Sequence, residues 1–324
     1  MMQAVVCRRS GPPDVLQVEE IDRPAVSRDG ILIRVKAASV NPADLFQLTP
    51  VAQLSRLLAG RGRARGSVPG SDFAGTVESV GEGVSEFGPG DAVFGTARGA
   101  FAEYVSTTQL GTLVRKPANV TFEQAAAVPI AGVTALQALR HHGRAQPGQR
   151  VLVNGASGGV GTFAVQIARA LGANVTAVCS PSNVDAVRGL GVGRVIDYTK
   201  EDFTQGSERY HLMIDIAGSR SWPECARVLE PKATLVAVGT SSAHTLGGVL
   251  GHAAHLRLRS MGASQRLVIF LAKIRQADLL VLQELLESGK LTPVIDRRYP
   301  LSQAAEALAY LQAGHARGKI MLNL

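Results

Sequence analysis

The sequence predicts an α/β protein in which an irregular β-rich part is followed by a doubly wound parallel sheet. The chain of 324 residues is 46% hydrophobic, which is enough to form two cores. Residues 1–120 contain short apolar runs between clusters of Pro, Gly and Asp, a pattern typical of strands and turns. Residues 151–180 have the pattern of a strand, a glycine-rich turn, a helix and a second strand. This βαβ order requires a parallel sheet.

Apolar periodicity places the individual elements. Residues 160–171 have helical spacing and end at Gly172, and the β-branched run 174–179 predicts the strand that follows. Thr121 and Gln124 form a capping box for a short helix. Further strands are predicted at residues 3–8, 16–20, 31–37, 75–80, 92–95, 101–106, 151–153, 194–197, 212–216, 234–238 and 267–272, and further helices at residues 130–142 and 278–288.

The glycine-rich turn predicts a dinucleotide site. Gly158, Gly159 and Gly161 lie between a strand and a helix, where a tight turn, close backbone approach and helix packing are needed to hold a pyrophosphate. The first glycine of the usual G-x-G-x-x-G is replaced by Ala156, with Gly155 just before it. A plain structural turn is the alternative. The candidate phosphate-binding residues are Ala156, Ser157, Gly158, Gly159 and Val160.

The end of the second strand favours NADPH over NADH. An acid there would bind a ribose 2′-hydroxyl and repel a 2′-phosphate, but no acid occurs between Cys179 and Asp185. Ser180 and Asn183 offer small hydroxyl and amide donors instead. Because Ser and Asn are also ordinary turn residues, a turn without ligand contacts is the alternative.

Composition and charge restrict the class of protein. Cys7, Cys179 and Cys225 form no disulfide framework and no CxxC pair, which suits a reducing compartment. No apolar run is long enough to span a bilayer, and Met1 leads directly into a strand-like run, so we expect a cytoplasmic protein without a signal sequence. The net charge of +8 favours anionic partners, and a phosphorylated cofactor is one.

Other candidate residues follow from their position after predicted strands. Ligands of an open parallel sheet bind beyond the carboxyl ends of its strands. The residues predicted to face the cofactor at these ends are Tyr198, Ala217, Gly218, Val238 and Gly239. His244, His252 and His255 have no Cys or carboxylate cluster beside them, so we expect no metal there.

Several motifs resemble the medium-chain dehydrogenase/reductase superfamily, and most closely its zinc-independent quinone reductase and zeta-crystallin branch. They are SVNPADLF, PGSDFAGTVESVGEGVSEFGPGDAVFG, GAFAEYV, AAAVPIAGVTAL, NGASGGVGTFAVQIA and GHARGK, and they cover nearly the whole chain in the family's order. The resemblance implies a GroES-like catalytic domain at residues 1–124 and a Rossmann NADPH-binding domain at residues 125–275. It also implies that residues 276–324 return to the catalytic domain.

The residues at the family's zinc positions predict that no zinc is bound. Asn41 stands where the first ligand would be, and Ser71 stands where the zinc-binding histidine would be. No histidine precedes His141, and Cys7 is the only cysteine before Cys179. Neutral amide and hydroxyl oxygens are poor zinc ligands. Without a Lewis acid to polarise a carbonyl, alcohol oxidation is not expected.

The resemblance also implies roles for individual residues. Thr134 matches a position that contacts the nicotinamide, and Tyr198 matches a tyrosine near the adenosine phosphate. The run 267–272, which contains Phe270, matches the last Rossmann strand. In the family this strand supplies backbone to the nicotinamide amide and pairs across a homodimer, so we expect a dimer. Arg317 and Lys319 match cofactor contacts.

The reaction we expect is NADPH-dependent reduction of a quinone by hydride transfer. Asn41 is assigned to hydrogen-bond the nicotinamide ribose or the acceptor oxygen, and Asp44 to hold the local network or to cap a helix. Phe46 lacks the hydroxyl that some relatives place there, so no tyrosine proton donor is expected at that position.

Two alternatives remain open. An enoyl or alkenal double-bond reductase would use the same fold and cofactor. A structural or nucleic-acid-binding role is the other class, because Arg61, Arg63 and Arg65 follow a predicted amphipathic helix containing Leu54, Leu57 and Leu58. Such a run is more often a solvated loop, and we do not expect nucleic acid to be a partner.

Overall fold

The computed structural model describes residues 1–52, 66–239, 251, 254, 256–258, 260 and 262–324. These residues form two compact units: one comprises Met1–Ala131 and Ile274–Leu324, and the other comprises Gly132–Lys273. The predicted amphipathic helix, the three arginines after it, and His244, His252 and His255 lie outside the described residues. Within the described part, no helix is both long and apolar enough to cross a membrane.

The strands and helices of the described part are numbered here in chain order. The strands are β1 (Met2–Cys7), β2 (Leu16–Ile21), β3 (Gly30–Val40), β4 (Asp72–Val80), β5 (Ala92–Thr96), β6 (Tyr104–Thr108), β7 (Thr112–Arg115), β8 (Arg150–Asn154), β9 (Asn174–Cys179), β10 (Arg194–Asp197), β11 (Tyr210–Asp215), β12 (Leu229–Ala237), β13 (Arg266–Ile269), β14 (Ile295–Pro300) and β15 (Lys319–Asn323). The helices are α1 (Pro42–Gln47), α2 (Phe122–Ala126), α3 (Pro129–Leu136), α4 (Gly159–Ala170), α5 (Val184–Gly189), α6 (Trp222–Arg227), α7 (Gln276–Glu287) and α8 (Ala304–Gln312).

The first unit is built on an irregular, mostly antiparallel sheet. Its order is β14-β15-β3-β4-β5-β7, with β6 pairing β3, and β1 and β2 form a separate ribbon. Strand β15 runs antiparallel to β3 with Ile320 opposite Val40, so the C-terminal strands extend the sheet formed by the N-terminal residues. This register brings Lys319 close to the residues at the end of β3.

The second unit is the predicted parallel sheet. Its order is β10-β9-β8-β11-β12-β13, and all of its pairs are parallel. Strand β8 carries buried apolar residues on both faces, as expected for a strand covered by helices on both sides. The order reverses at β8, and this reversal is where ligands of open α/β sheets bind. The predicted fold class is therefore confirmed.

Several predicted boundaries are corrected by the structure. The strand expected at residues 101–106 begins only at Tyr104, because residues 101–103 lie in a bend that donates to β1 and accepts from β1 and β3. The strand expected at residues 267–272 ends at Ile269. The helix expected at residues 130–142 is α-helical only to Leu136 and continues as a π-helical turn over Gln137–His142. Strand β7 was not predicted.

Candidate functional site

The carboxyl edge of the parallel sheet gathers most of the predicted cofactor residues. Each of its six strands is followed by at least one of them, because parallel strands all end at the same edge. In strand order along the sheet, they are Tyr198 after β10, Ser180 and Asn183 after β9, Ala156 to Val160 after β8, Ala217 and Gly218 after β11, Val238 and Gly239 after β12, and Phe270 after β13.

The turn after β8 requires its glycines. Gly155 has a φ of +87°, a left-handed conformation that side chains rarely adopt. A Cβ on Gly161 would lie 2.1 Å from the carbonyl oxygen of Gly155, so only glycine lets α4 pack this closely on the turn. A Cβ on Gly158 would meet nothing nearer than 3.8 Å, which leaves that side of the turn open.

Helix α4 begins directly after this turn and presents its amino end there. Gly158 is the N-cap and provides no side chain to bind the N–H groups of the first turn, and that turn contains no acid. These N–H groups have no partner inside the helix, and the helix dipole adds partial positive charge. The open turn and the helix N-terminus together fit the pyrophosphate of a dinucleotide.

A buried polar pair that the sequence analysis missed lies next to the glycine-rich turn after β8. Asn154 ends β8, and its amide donates to a carboxylate oxygen of Asp215 at the end of β11, at 2.8 Å. The same oxygen accepts from the backbone N–H of Gly218 at 3.0 Å. Gly239 is equally constrained, because a Cβ there would lie 2.1 Å from the carbonyl oxygen of Ile216. The sequence did contain a signal for this pair, because Asn154 is a polar residue at the end of an otherwise apolar strand.

The loop after β9 brings Ser157, Ser180 and Asn183 together. Pro181 starts a single 3₁₀ turn, Pro181–Asn183, which folds the Asn183 side chain back beneath Ser180. The Asn183 amide donates to the hydroxyl oxygens of Ser180 at 2.9 Å and Ser157 at 3.0 Å. One side chain thus joins the glycine-rich turn to the end of β9.

No described acid is available near this loop to bind a ribose 2′-hydroxyl. Asp185, the first acid after β9, is exposed and paired with Arg188 at 2.8 Å. Asp197 ends β10, but it accepts from the backbone N–H and the hydroxyl of Thr199, and these bonds lower its pKa. The site therefore presents neutral donors.

The remaining predicted residues of this unit are more scattered. Tyr198 is 51% exposed beyond β10. Thr134 is half-buried within α3. The Phe270 ring packs on the His142 ring with centroids 4.2 Å apart, and Gln137 pairs with both the N–H and the carbonyl of Lys273. The π-helical turn thus holds the segment that follows β13, and burial lowers the pKa of His142.

The first unit contains a buried polar network around Asn41. Asn41 is 2% exposed and lies between β3 and α1. Its amide nitrogen donates to Asp72 at 2.9 Å and to the carbonyl of Ser39 at 3.3 Å, and its oxygen accepts from Nζ of Lys319 at 2.6 Å. Both amide hydrogens are therefore used, so Asn41 can bind a ligand only by accepting a hydrogen bond through Oδ1.

Asp44 caps α1 from its third residue. Its carboxylate accepts from the backbone N–H of Asn41 at 2.8 Å, and Gln47 donates to the other carboxylate oxygen at 3.3 Å. Complete burial raises the pKa of Asp44 to about 7, and the nearby Asp72 charge adds to this shift. The carboxyl group therefore holds its proton to a higher pH than an exposed aspartate does.

Lys319 and Asp72 form an ion pair inside the unit. Nζ of Lys319 lies 3.8 Å from Asp72, and the two side chains are 3% and 0% exposed. Asp72 also accepts from the Ser39 hydroxyl at 3.0 Å and from the Ile130 N–H at 3.1 Å. Burial raises the pKa of Asp72 and lowers that of Lys319, while their mutual attraction opposes both shifts.

The two C-terminal cofactor candidates are placed differently from each other. Lys319 directs its ammonium at Asn41, whereas Arg317 is exposed and its backbone N–H donates to Asp296 at 2.9 Å. The predicted contacts of both residues with a cofactor stay predictions. The sequence analysis missed Ser39 and Asp72 as members of the network, although an acid directly before the apolar residues Phe73 and Ala74 was an available signal.

Comparison with known proteins agrees with this geometry. Two family profiles match, one described as "Alcohol dehydrogenase GroES-like domain" over residues 27–118 and one as "Zinc-binding dehydrogenase" over residues 190–322. A mitochondrial NAD(P)H oxidoreductase of Mus musculus is 31% identical over 325 residues, which cover 91% of this chain and 81% of the relative. A trans-enoyl reductase of Aspergillus terreus is 33% identical over 316 residues, which cover 91% and 86%.

A solved structure of an oxidoreductase has the same fold. The quinone oxidoreductase from Coxiella burnetii superposes with a TM-score of 0.85 at 31% identity, over 100% of this chain and 99% of that one. The chain therefore belongs to the medium-chain dehydrogenase/reductase family, in its quinone oxidoreductase branch, and is an NAD(P)H-dependent oxidoreductase.

Proposed function

We propose that the protein uses NADPH to reduce quinones by hydride transfer and does so without zinc. The observation that carries the proposal is the carboxyl edge of the parallel sheet. There, an open glycine turn and a helix N-terminus lie next to the hydroxyls of Ser157 and Ser180, with no free acid among the described residues of the loop after β9. Neutral donors accommodate a 2′-phosphate, and an acid would repel it.

Zinc independence is supported by the residues around Asn41. One matching profile is described as "Zinc-binding dehydrogenase", but the donor set around Asn41 differs from that of a zinc site. The Asn41 oxygen lies 2.6 Å from the Lys319 ammonium, whose charge would repel a divalent cation. Among the described residues, no three His, Cys, Asp or Glu side chains are grouped to hold a metal. These residues do not fit zinc.

The protein's own part in the reaction is to bind the cofactor and to orient it. The bound nicotinamide supplies the hydride. The glycine turn and the N-terminus of α4 would hold the pyrophosphate, and the hydroxyls after β9 would hold the adenosine end. Because both amide hydrogens of Asn41 are already donated, we propose that it accepts a hydrogen bond from a ribose hydroxyl through Oδ1 and does not donate to the acceptor oxygen.

The test is NADPH oxidation with three acceptors under the same conditions: 1,4-benzoquinone, 9,10-phenanthrenequinone and an alkenal. We expect turnover with at least one quinone, and the rate should be unchanged after dialysis against a zinc chelator. Turnover of the alkenal alone would overturn the quinone proposal. Loss of activity on chelation, with recovery on adding zinc, would overturn zinc independence.

An enoyl or alkenal double-bond reductase is the second candidate. The observation in its favour is the trans-enoyl reductase of Aspergillus terreus, which is 33% identical to this chain. The two candidates share the cofactor site and differ only in the acceptor, so the same assay separates them.

We further propose that the protein is a homodimer joined at β13. Within the described part, β13 pairs only with β12. Ile269, its last residue, is 40% exposed, and Leu271 beyond it is 91% exposed. An exposed apolar edge of this kind favours pairing with a second copy. Light scattering should give a dimer mass, and Leu271→Lys should lower it. A monomeric native protein would contradict the proposal.

Two predictions from the sequence remain to be tested. A cytoplasmic location stays a prediction, since a relative named as mitochondrial leaves the compartment open. The alternative nucleic-acid role depends on Arg61, Arg63 and Arg65, which lie outside the described residues. It predicts RNA binding that weakens steeply with salt and is lost when these arginines are neutralised.

A further inference from the structure

The side chain of Asn183 is buried, yet half of its hydrogen-bonding capacity is unused. It is 7% exposed, and its two amide hydrogens go to the hydroxyl oxygens of Ser157 and Ser180. Its carbonyl oxygen Oδ1 is buried, and the described residues supply no donor to it. A buried acceptor without a donor is destabilising, and such groups are rare in folded proteins.

The opposite orientation of the Asn183 amide would reverse the direction of its hydrogen bonds with the serines and would still leave one buried polar atom unpaired. Turned by 180°, Oδ1 would accept hydrogens from both hydroxyls, and the amide nitrogen would be left buried without acceptors. In the observed orientation the serine oxygens accept from Asn183. Their hydroxyl hydrogens are therefore directed elsewhere, and both serines are partly exposed. The observed orientation thus directs both hydroxyl hydrogens away from Asn183. Ser182 is the other hydroxyl within reach of Ser180, at a long 3.4 Å, so the Ser157 and Ser180 hydroxyls can donate to a ligand at the surface of the site.

An anionic group is the ligand that such donors fit. Ser157 belongs to the glycine-rich turn and Ser180 ends β9, so the two hydroxyls lie beside the proposed cofactor site. A phosphate offers several acceptor oxygens and no donor when it is fully ionised. Hydrogen bonds to charged acceptors are stronger than those between neutral groups, and they would offset the cost of the unpaired carbonyl.

We propose that Asn183 is a positioning residue that does not itself bind the cofactor but orients the Ser157 and Ser180 hydroxyls toward a cofactor phosphate. This inference depends on the proposed use of NADPH. The phosphate is either the 2′-phosphate, which only NADPH carries, or the pyrophosphate, which NADPH and NADH share.

The experiment measures Kd for NADPH and for NADH by fluorescence titration of native protein, Asn183→Asp and Asn183→Ala. The aspartate has the same shape but only accepts, so it turns both hydroxyl hydrogens inward. We expect NADPH binding to weaken about tenfold or more in both variants, the effect of losing one or two charge-assisted bonds. A loss confined to NADPH assigns the 2′-phosphate, and an equal loss for both nucleotides assigns the pyrophosphate.

A mutant cycle separates positioning from a general structural effect. In a Ser157→Ala/Ser180→Ala background, adding Asn183→Ala should weaken NADPH binding no further, because Asn183 acts through the serines. Asn174→Ala is the matched control: it lies at the other end of β9, its amide donates to the carbonyl of Gly148, and both Kd values should stay native.

One set of results would contradict the positioning role of Asn183, and another would contradict the proposed function. Native affinity for both nucleotides in the Asn183 variants, or a further loss of binding in the serine background, overturns the positioning role. If native protein binds neither NADPH nor NADH, the proposed function itself fails.

Discussion

Replacing Lys319 by Met tests the buried network in the first unit most severely. The change removes the ammonium that lies 2.6 Å from the Asn41 oxygen and 3.8 Å from the Asp72 carboxylate. Asp72 is left fully buried with no cation, and only the neutral donors of Ser39, Asn41 and Ile130 remain. The side chains are of similar volume, so the main effect is electrostatic.

The expected cost is about 3 to 5 kcal/mol in the free energy of unfolding. Two opposite charges 3.8 Å apart attract by about 4 kcal/mol at an effective dielectric constant of 20. Breaking a buried pair by removing one partner costs about 3 to 5 kcal/mol in other proteins, because the remaining charge stays desolvated. Lys290→Met, an exposed lysine, is the matched control and should change stability by less than about 0.5 kcal/mol.

The cost should also depend on pH, with a definite sign. Burial already raises the pKa of Asp72, and removing Lys319 raises it further. A carboxyl whose folded pKa exceeds its unfolded pKa loses stability as pH rises between those two values. The deficit of Lys319→Met should therefore be small in acid, where Asp72 is protonated, and grow toward neutral pH.

Urea unfolding at several pH values, followed by circular dichroism, measures these quantities. Adding Asp72→Asn to Lys319→Met should recover much of the loss at neutral pH, because no buried charge then remains uncompensated. A loss below about 1 kcal/mol, a deficit independent of pH, or no recovery in the double variant would refute the electrostatic account.

Three further predictions follow from single sites. A carboxyl with a folded pKa of about 7 lowers the free energy of unfolding as the pH rises from acid to neutral. Asp44→Asn should keep the cap of α1 and make this decline smaller. Urea titrations across that range check this, and an unchanged slope counts against it. Gly161→Ala should cost about 1 to 3 kcal/mol and weaken NADPH binding, because its Cβ would lie 2.1 Å from the Gly155 carbonyl. Gly189 has open space around it, so Gly189→Ala is the control: thermal melting and NADPH titration should show native stability and native NADPH affinity. Thr121→Ala should cost about 1 kcal/mol in urea unfolding through loss of the α2 cap, and no change would show the cap to be dispensable.

Local patterns were sufficient to predict the parallel sheet and the glycine-rich turn after β8. Strands β9 and β10 lie at the predicted residues, because each is a short β-branched run bounded by turn residues. The glycine turn was predictable for the same reason: its requirements arise within a few residues of chain. Strand β12 begins at Leu229, well before the predicted residue 234, because Glu230, Pro231 and Lys232 hide the pattern.

The network around Asn41 could not be predicted by the same means. Its partners Asp72 and Lys319 are 31 and 278 residues away along the chain, and only the register of β15 on β3 brings them together. The family resemblance suggested Lys319 as a cofactor contact, which stays a prediction, but nothing in the sequence indicated the bond from its ammonium to Asn41. Asn183 likewise carried no signal that its amide is buried beneath two serines.

The most direct test of the central claim is a calorimetric titration of the purified protein with NADPH and, separately, with NADH. We expect one site per chain that binds NADPH more tightly than NADH, and weaker binding of NADPH by Gly161→Ala. Equal or tighter binding of NADH would contradict the interpretation of the loop after β9. No heat from either nucleotide would contradict the assignment of the turn after β8 as a dinucleotide site.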